Sequence, residues 1–378
     1  MKLLEHQGKR LLAGAGVPIP AGRVVRAPEE AAWAAAELGG PVVLKSQVPS
    51  GKRGKAGAIR FADTPERAAE EARALLGAEV GGAVVGELLV EERADIRDEL
   101  YAAVLNDPAS KGPLVLFSTA GGMDVEDADL VRRLPVDIRA GLTEPDARTL
   151  LDGLAPAVAD RVAAVLLALY RLYRDVDAEL VEVNPLVVTA AEQVLALDSK
   201  ISIDPGALAR RAEMFADVAE READSGSELE RRGRALGLQY MELDGDVGVL
   251  ANGAGLTMTT LDAVNHYGGR PANFLEIGGD AYTKATPALR LVLDNPRVRS
   301  LVVNFCGAFA RTDVMTEGVV AAIEELRPEL PIFFSIHGTG EERAIELVRD
   351  RLGLQPYDSM DDAVRAAVAA AAPIGKGA

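Results

Sequence analysis

The segment that most constrains the fold is residues 179–200, ELVEVNPLVVTAAEQVLALDSK. Two apolar runs, LVEVNPLVV and VLALD, flank the polar turn TAAEQ, so the segment predicts a β-hairpin. With a turn centred near Ala191, Asn184 would lie opposite Asp198, and Glu182 would lie two residues along the same face. Carboxylate and amide oxygens suit Mg²⁺, which takes one or two protein ligands and completes its shell with water and phosphate oxygens. The hairpin is therefore a candidate platform for a nucleotide-bound metal.

The alternative is that these side chains are solvated polar residues on the open face of an antiparallel pair. Two features count against it. Pro185 lies inside an otherwise apolar strand, and Glu182 and Asn184 interrupt Val and Leu where alternation would bury one face. The pattern favours the metal platform, and both interpretations stay open on these residues alone.

The charge and cysteine content exclude several classes of function. The chain has 378 residues, enough for two or three domains, and a formal net charge of −17. This charge argues against a surface for nucleic acid or an anionic membrane. The single Cys306 allows neither an internal disulfide nor a Cys-rich metal site, and we expect it to be a small buried residue at a strand end. The N-terminus becomes charged at once and no run approaches the roughly 20 apolar residues of a membrane span, so we expect a cytoplasmic protein.

A basic, glycine-rich segment follows the short strand PVVLKSQ, which ends near Lys45. The segment VPSGKRGKAGAI places Lys52, Arg53 and Gly54 together. Glycine lets backbone N–H groups approach a phosphate, while Lys and Arg neutralise its charge. The order of residues differs from a Walker A loop. The segment could be a lid over a triphosphate or an ordinary soluble turn.

The second half of the chain repeats a strand, a glycine turn and a helix, which predicts a parallel, doubly wound domain. Gly253-x-Gly255 is only a partial dinucleotide fingerprint, and Asp262 follows too soon to bind a ribose, which argues against NAD. Asn252 ends one strand and residues 307–310 follow another. An amide side chain and helix N-terminal N–H groups there could hold a carboxylate.

Composition also suggests where the domains meet. Residues 204–236 are charged and punctuated by Ser and Gly, as expected of a connector. We place a nucleotide-binding domain at residues 1–232, with a lid-like subdomain at about 20–95, and a second domain at residues 233–378.

Several motifs, in this order, resemble one family. They are LLEHQGKRLLAGAGVPIPAG, LKSQVPSGKRGKAGAI, LVEERADIRDELY, VEVNPLVV with LALDSK, LDGDVGVLANGAGLTMTTLD and GGRPANFLEIGG. Together they resemble the β subunits of ADP-forming succinyl-CoA synthetase. The resemblance implies an α/β chain with an ATP-grasp domain of two subdomains, followed by a flavodoxin-like CoA-ligase domain. It also implies an α subunit, in an αβ or (αβ)₂ assembly, that carries CoA and a phosphorylated histidine.

The resemblance also implies roles for individual residues. Those near the nucleotide phosphates would be Lys45, Lys52, Arg53 and Gly54. Those around the base and ribose would be Glu91, Ala94 and Glu99. Asn184 and Asp198 would bind Mg²⁺, and Glu182 would meet the histidine of the α subunit during phosphoryl transfer. The organic acid would lie at Asn252, Ala308, Phe309 and Ala310. Pro20 matches a position where members that prefer ATP to GTP tend to have proline.

The implied reaction belongs to the tricarboxylic acid cycle. ATP phosphorylates the histidine of the partner, an acyl phosphate forms from succinate, and CoA displaces the phosphate. Departures from the family pattern at Asp280, Ala308 and Phe309 raise the hypothesis that the acid is not succinate, because a bulky ring would reshape the pocket. One alternative is therefore a ligase for malate or another carboxylate. A second is a non-catalytic nucleotide-binding regulator, although retention of Glu182, a phosphoryl-transfer residue, favours an enzyme.

Overall fold

The computed structural model describes residues 1–48, 57–122, 131–216, 218, 226–278 and 281–372. Lys52, Arg53, Gly54 and Asp280 lie outside the described residues. The chain divides into two compact units, Met1–Ala216 and Asp217–Ala378. This division falls inside the connector predicted at residues 204–236, and the domain boundary between residues 232 and 233 stays a proposal.

The secondary structure alternates helices and strands along the chain. The helices are α1 (Glu5–Gly14), α2 (Pro28–Leu38), α3 (Pro65–Leu75), α4 (Glu144–Thr149), α5 (Pro156–Asp175), α6 (Glu228–Ala235), α7 (Ala254–His266), α8 (Ala281–Leu293), α9 (Thr312–Leu326), α10 (Glu341–Leu347) and α11 (Met360–Ala371).

The strands of the first unit are β1 (Gly22–Val25), β2 (Val42–Ser46), β3 (Ile59–Ala62), β4 (Glu79–Val80), β5 (Ala83–Val84), β6 (Leu88–Glu92), β7 (Ile96–Asp107), β8 (Gly112–Ser118), β9 (Arg132–Pro135), β10 (Ala178–Thr189), β11 (Val194–Ala196) and β12 (Lys200–Ile203). Those of the second unit are β13 (Tyr240–Glu242), β14 (Val247–Ala251), β15 (Asn273–Leu275), β16 (Ser300–Gly307) and β17 (Ile332–Gly338).

The first unit contains two larger antiparallel sheets. One has the strand order β1-β6-β2-β3, and α2 and α3 cover it by packing residues such as Ala31 and Ala68 against Val42 and Leu44. The other has the order β11-β10-β7-β8-β9, with β12 also paired to β10. Helix α5 packs on β10 and β7. The apolar side chains that alternate along these strands form the core of the unit.

The predicted hairpin is confirmed, with its predicted register. Strand β10 pairs with β11 through Leu186 and Ala196, and with β12 through Glu182 and Lys200. Asp198 lies in the short gap between β11 and β12. The flanking pairs therefore place it directly across from Asn184.

The second unit contains a parallel sheet with the order β14-β16-β17. Successive residues of β16 enter different cores. Leu301 and Val303 pack with α8 and α9, whereas Val302 packs with α7 and α11. Both faces are thus covered by helices, as expected of strands that read as continuous apolar runs. The predicted doubly wound parallel sheet is confirmed.

Cys306 is exposed, so the expectation that it is buried was wrong. Side chains alternate along a strand, and Cys306 therefore points away from the face that buries Phe305. It lies at the carboxyl end of β16, past the apolar residues that the helices cover.

Among the residues that the structure describes, no helix combines the length and apolar character needed to cross a membrane.

Candidate functional site

A cavity of about 770 Å³ in the first unit gathers residues from distant parts of the chain. Its size is in the range usual for sites that bind small molecules and cofactors. Six residues singled out from the sequence line it, namely Pro20, Lys45, Glu91, Ala94, Glu99 and Asp198. Apolar side chains complete the wall, among them Val43, Ile59, Phe61, Ile96 and Leu197. The cavity therefore combines apolar walls, suited to a flat ring, with a few charged groups.

Lys45 supplies a cation to this cavity. Its Nζ donates to Glu5 Oε1 at 2.9 Å and to the carbonyl of Leu197, and it lies 2.8 Å from Glu91 Oε2. Burial by itself would lower the pKa of Lys45, but the charges of Glu5, Glu91 and Asp198 outweigh burial, so its pKa is raised. Lys45 is therefore a fixed ammonium group at neutral pH, which suits the binding of a phosphate.

Two buried residues of α1, Glu5 and Lys9, were missed by sequence reasoning. Lys9 Nζ donates to Glu91 Oε1 at 2.5 Å and to Oε2 at 2.6 Å, and lies 3.1 Å from Glu5 Oε1. Burial, followed by the charge of Lys45, lowers the pKa of Lys9. One sequence signal pointed to them. Glu5 and Lys9 are four residues apart, and Lys9 precedes buried Leu12 by three, so all three share one helical face.

The carboxylate of Glu91 faces Lys9 and Lys45. The contact of Glu91 with the base or ribose, expected from the sequence, stays a prediction, and so does the contact of Ala94. Glu91 is 2 % exposed, and its oxygens are held by Lys9 and Lys45. In this structure the side chain joins α1 to the cavity wall.

A glycine turn after β8 brings Glu99 and Asn184 together. Gly122 has φ 85°, in the left-handed region that favours glycine. Its N–H donates to Asn184 Oδ1 at 2.7 Å, and Asn184 Nδ2 donates to its carbonyl at 3.0 Å. A Cβ at Gly122 would lie 2.6 Å from Glu99 Oε2. A side chain at this position would therefore displace the Glu99 carboxylate.

Asn184 and Asp198 meet the requirements for Mg²⁺. They offer one amide oxygen and one carboxylate, which are hard oxygen donors, from facing positions of the hairpin. The backbone N–H of Ser199 donates to Asp198 Oδ1 at 2.6 Å and so fixes that carboxylate. Within the described ranges no group of three or more His, Cys, Asp or Glu side chains is arranged for a metal. A metal here would thus be completed by water and phosphate oxygens, as is usual for Mg²⁺.

Glu182 lies on β10 two residues before Asn184, outside the group of residues that line the cavity. Lys200 Nζ donates to Glu182 Oε2 at 3.2 Å. Burial, and then the negative charge of Glu182, raise the pKa of the nearby Tyr101 to about 12. The carboxylate of Glu182 is therefore held beside the proposed metal ligands and next to a neutral phenol.

The residues predicted to hold an organic acid lie at the carboxyl ends of parallel strands in the second unit. Asn252 Nδ2 donates to the carbonyl of Cys306, and the N–H of Cys306 donates to Asn252 Oδ1, both at 2.8 Å. Thr339 Oγ1 donates to the carbonyl of Ala308 at 2.9 Å. Phe309 is fully exposed. These bonds join the three strand ends, where open α/β sheets bind their ligands.

Comparisons with known proteins cover nearly the whole chain. A family described as ATP-grasp domain matches residues 2–188, and one described as CoA-ligase matches residues 250–370. The ADP-forming succinate–CoA ligase subunit beta of Rubrobacter xylanophilus is 42% identical over 378 residues, which are 97% of this chain and 98% of that protein. The GDP-forming succinate–CoA ligase subunit beta of Thermus thermophilus is 40% identical, with 98% of each chain covered.

A solved structure shares the fold. ATP citrate lyase from Methanothrix soehngenii, in complex with citrate and coenzyme A, has a TM-score of 0.75 to this chain. The two are 23% identical, and the match covers 97% of this chain and 99% of the other.

Proposed function

Because this chain belongs to the family of succinate–CoA ligase β subunits, we propose that the cavity of its first unit binds the nucleotide for phosphoryl transfer. The chain is the β subunit of a carbon–sulfur ligase that forms succinyl-CoA at the expense of a nucleoside triphosphate. A β subunit of this kind works with an α subunit.

The observation that carries the proposal is the convergence at the cavity. Lys45, Glu99 and Asp198 come from separate strands and connections, yet they line one space of suitable size. Lys45 provides positive charge where the phosphates would lie. Phosphoryl transfer gains most from such fixed charges, because they stabilise the negative charge spread over the transferring group without reorganisation.

Asn184 and Asp198 would hold Mg²⁺, which supplies further positive charge to the phosphate oxygens when it is bound. The chain's own contribution is to fix these donors. The backbone of Gly122 holds the Asn184 amide, and the N–H of Ser199 holds the Asp198 carboxylate. Both side chains thus keep their positions before a nucleotide arrives.

Glu182 would receive the phosphorylatable histidine of the α subunit. A carboxylate next to an imidazole accepts the N–H of one ring nitrogen and leaves the other nitrogen free to take up the phosphoryl group. Lys200 supports this role by holding Glu182 in place. A non-catalytic regulator would need Lys45 and Asp198 for binding but would have no use for Glu182, so the chain's retention of this residue favours an enzyme.

The acid and the nucleotide follow from the family and from the second unit. Asn252, Ala308, Phe309 and Ala310 lie where the acid would bind, with CoA carried mainly by the α subunit. The relatives are succinate–CoA ligases, and the hypothesis of a different acid gains no support from Phe309, whose ring is exposed to solvent.

Pro20 lines the cavity, which supports ATP over GTP. A cytoplasmic location completes the proposal.

The test is transfer of labelled phosphate from ATP to the histidine of a copurified α subunit. The parent chain should transfer the label, and Glu182→Gln should bind ATP but transfer it at least about 100-fold more slowly. Glu179→Gln, an exposed carboxylate on the same strand, is the matched control and should behave as the parent. ATP binding without transfer by the parent would support the regulator instead.

A further inference from the structure

Four charged side chains of alternating sign contact one another at the cavity wall. Lys9 contacts both oxygens of Glu91 and Oε1 of Glu5. Lys45 contacts the same Glu5 oxygen and Glu91 Oε2. Each carboxylate thus lies between two ammonium groups. Lys9 and Glu5 are 2 % exposed and are outside the group of residues that line the cavity, whereas Lys45 and Glu91 line it.

We propose that Lys9 is a positioning residue of the nucleotide site, which balances the negative charges of Glu5 and Glu91 so that they do not cancel the attraction of Lys45 for the phosphates. The inference rests on the proposed nucleotide site. It adds a residue that contacts neither the nucleotide nor the metal and acts through Lys45 and Glu91.

Charge supports this role of Lys9. The two ammonium groups and the two carboxylates that contact one another sum to zero, and Asp198, whose charge also acts on Lys45, adds one negative charge beside them. Without Lys9, the two carboxylates would face Lys45 alone, and the net charge at the cavity wall would become more negative by one. Solvent and salt screen buried charges only weakly. The anionic nucleotide would meet this added negative charge, and the two carboxylates, which already contact Lys45, would offset more of its positive charge.

Helix α1 also contacts the hairpin beside Asp198. A Cβ at Gly8 would lie 2.1 Å from Ser199 Oγ, so helix and hairpin pack without space for a side chain. The N–H of Leu3 donates to the carbonyl of Ile201 at 3.0 Å. Helix α1, which carries Lys9, therefore contacts both Glu91 and the segment that carries the proposed metal ligand Asp198.

The competing explanation is that the four charges only hold α1 against the sheets. Stability alone does not require charged residues at these positions, because apolar residues of similar volume often replace buried ion pairs without loss of stability. The two explanations differ in what happens when the charge balance is restored by a second substitution.

The experiment measures binding of MgATP to the full chain by calorimetry. Lys9→Met should raise the Kd about 10- to 100-fold, the range for one lost charged hydrogen-bond partner. Lys9→Met combined with Glu5→Gln restores the net charge of the parent and should return the Kd to within about threefold of the parent. Lys2→Met, at an exposed lysine just before the same helix, is the control and should leave the Kd unchanged.

A folded Lys9→Met chain with the parent's Kd would overturn the inference, and so would a double variant no better than the single one. A parent that does not bind MgATP would refute the proposed nucleotide site itself. If Lys9→Met does not fold, Glu5→Gln alone decides. It removes a negative charge and should bind MgATP at least as tightly as the parent, whereas binding weakened about tenfold would contradict the role of charge balance.

Discussion

The side-chain amide of Asn184 makes two hydrogen bonds to the backbone of Gly122, one in each direction, at 2.7 and 3.0 Å. A Cβ built on this glycine would lie 2.6 Å from Glu99 Oε2. One residue therefore sets the spacing between a proposed metal ligand and a proposed nucleotide ligand. A side chain at this position would displace the Glu99 carboxylate, and the φ of 85° also favours glycine here.

Gly122→Ala should weaken nucleotide binding more than it weakens the fold. The new Cβ would lie 2.6 Å from Glu99 Oε2, the end of a flexible side chain, so the carboxylate would move while the backbone stays. Gly153→Ala is a matched control, with φ 90° and no atom within 4 Å of its Cβ. Each substitution should cost about 1–2 kcal/mol for the left-handed backbone, measured by denaturant unfolding.

Only Gly122→Ala should raise the Kd for MgATP, by about tenfold, which corresponds to one weakened hydrogen bond. Equal effects of the two substitutions on binding would show that the contact with Glu99 has no part in the site.

Asp198→Asn should raise the Mg²⁺ concentration needed for half-maximal ATP binding by at least about tenfold. The substitution keeps the shape of the side chain but removes the charge that a hard divalent cation requires. It also removes one of the charges that raise the pKa of Lys45. A Mg²⁺ titration of ATP binding measures the effect, with Asp152→Asn, an exposed position, as control. An unchanged Mg²⁺ requirement would argue against Asp198 as a ligand.

Tyr101 should make stability fall at high pH. Burial and the charge of Glu182 raise its pKa to about 12, against about 10 in an unfolded chain. The unfolded chain therefore loses this proton first. The contribution is fully present below pH 10 and is lost as the pH rises to about 12. After discounting for partial solvent screening, it amounts to about 1–2 kcal/mol.

Tyr101→Phe should therefore flatten the decline of the free energy of unfolding between pH 10 and 12. The slope should decrease without vanishing, because burial also raises the pKa of Tyr240 to about 12. Denaturant titrations at several pH values provide the measurement. Parallel declines in parent and variant would mean that Tyr101 is not buried next to Glu182.

Phe309→Ala should leave the free energy of unfolding within about 0.5 kcal/mol of the parent, because the ring is fully exposed. Phe305→Ala, four residues earlier and fully buried in β16, should cost about 3–5 kcal/mol. In the assembled ligase, Phe309→Ala should change the KM for succinate. If the KM stays the same, Phe309 lies outside the acid site.

The local features of the fold could be predicted from the sequence. The polar turn between two apolar runs determines the register that places Asn184 across from Asp198. The repeated strand, glycine turn and helix determine a parallel sheet with its strand ends together, including Asn252. Both depend on periodicity and turn chemistry, which are properties of neighbouring residues.

The buried charges could not be predicted in the same way. Lys9 and Glu91 are 82 positions apart, and a charged residue on a short helix is normally solvated. Lys9 is buried because a tertiary contact brings two carboxylates to its ammonium group. Cys306 shows the same limit, because whether a strand end is covered depends on where the packed helices stop.

The central claim is that this chain forms succinyl-CoA as the β subunit of an αβ ligase. The most direct measurement is the rate of acyl-CoA formation by the chain reconstituted with its α subunit, in the presence of MgATP and CoA, with succinate, malate or itaconate as the acid. The account predicts that succinate has the highest kcat/KM. A higher kcat/KM for malate or itaconate, or no acyl-CoA despite bound MgATP, would contradict it.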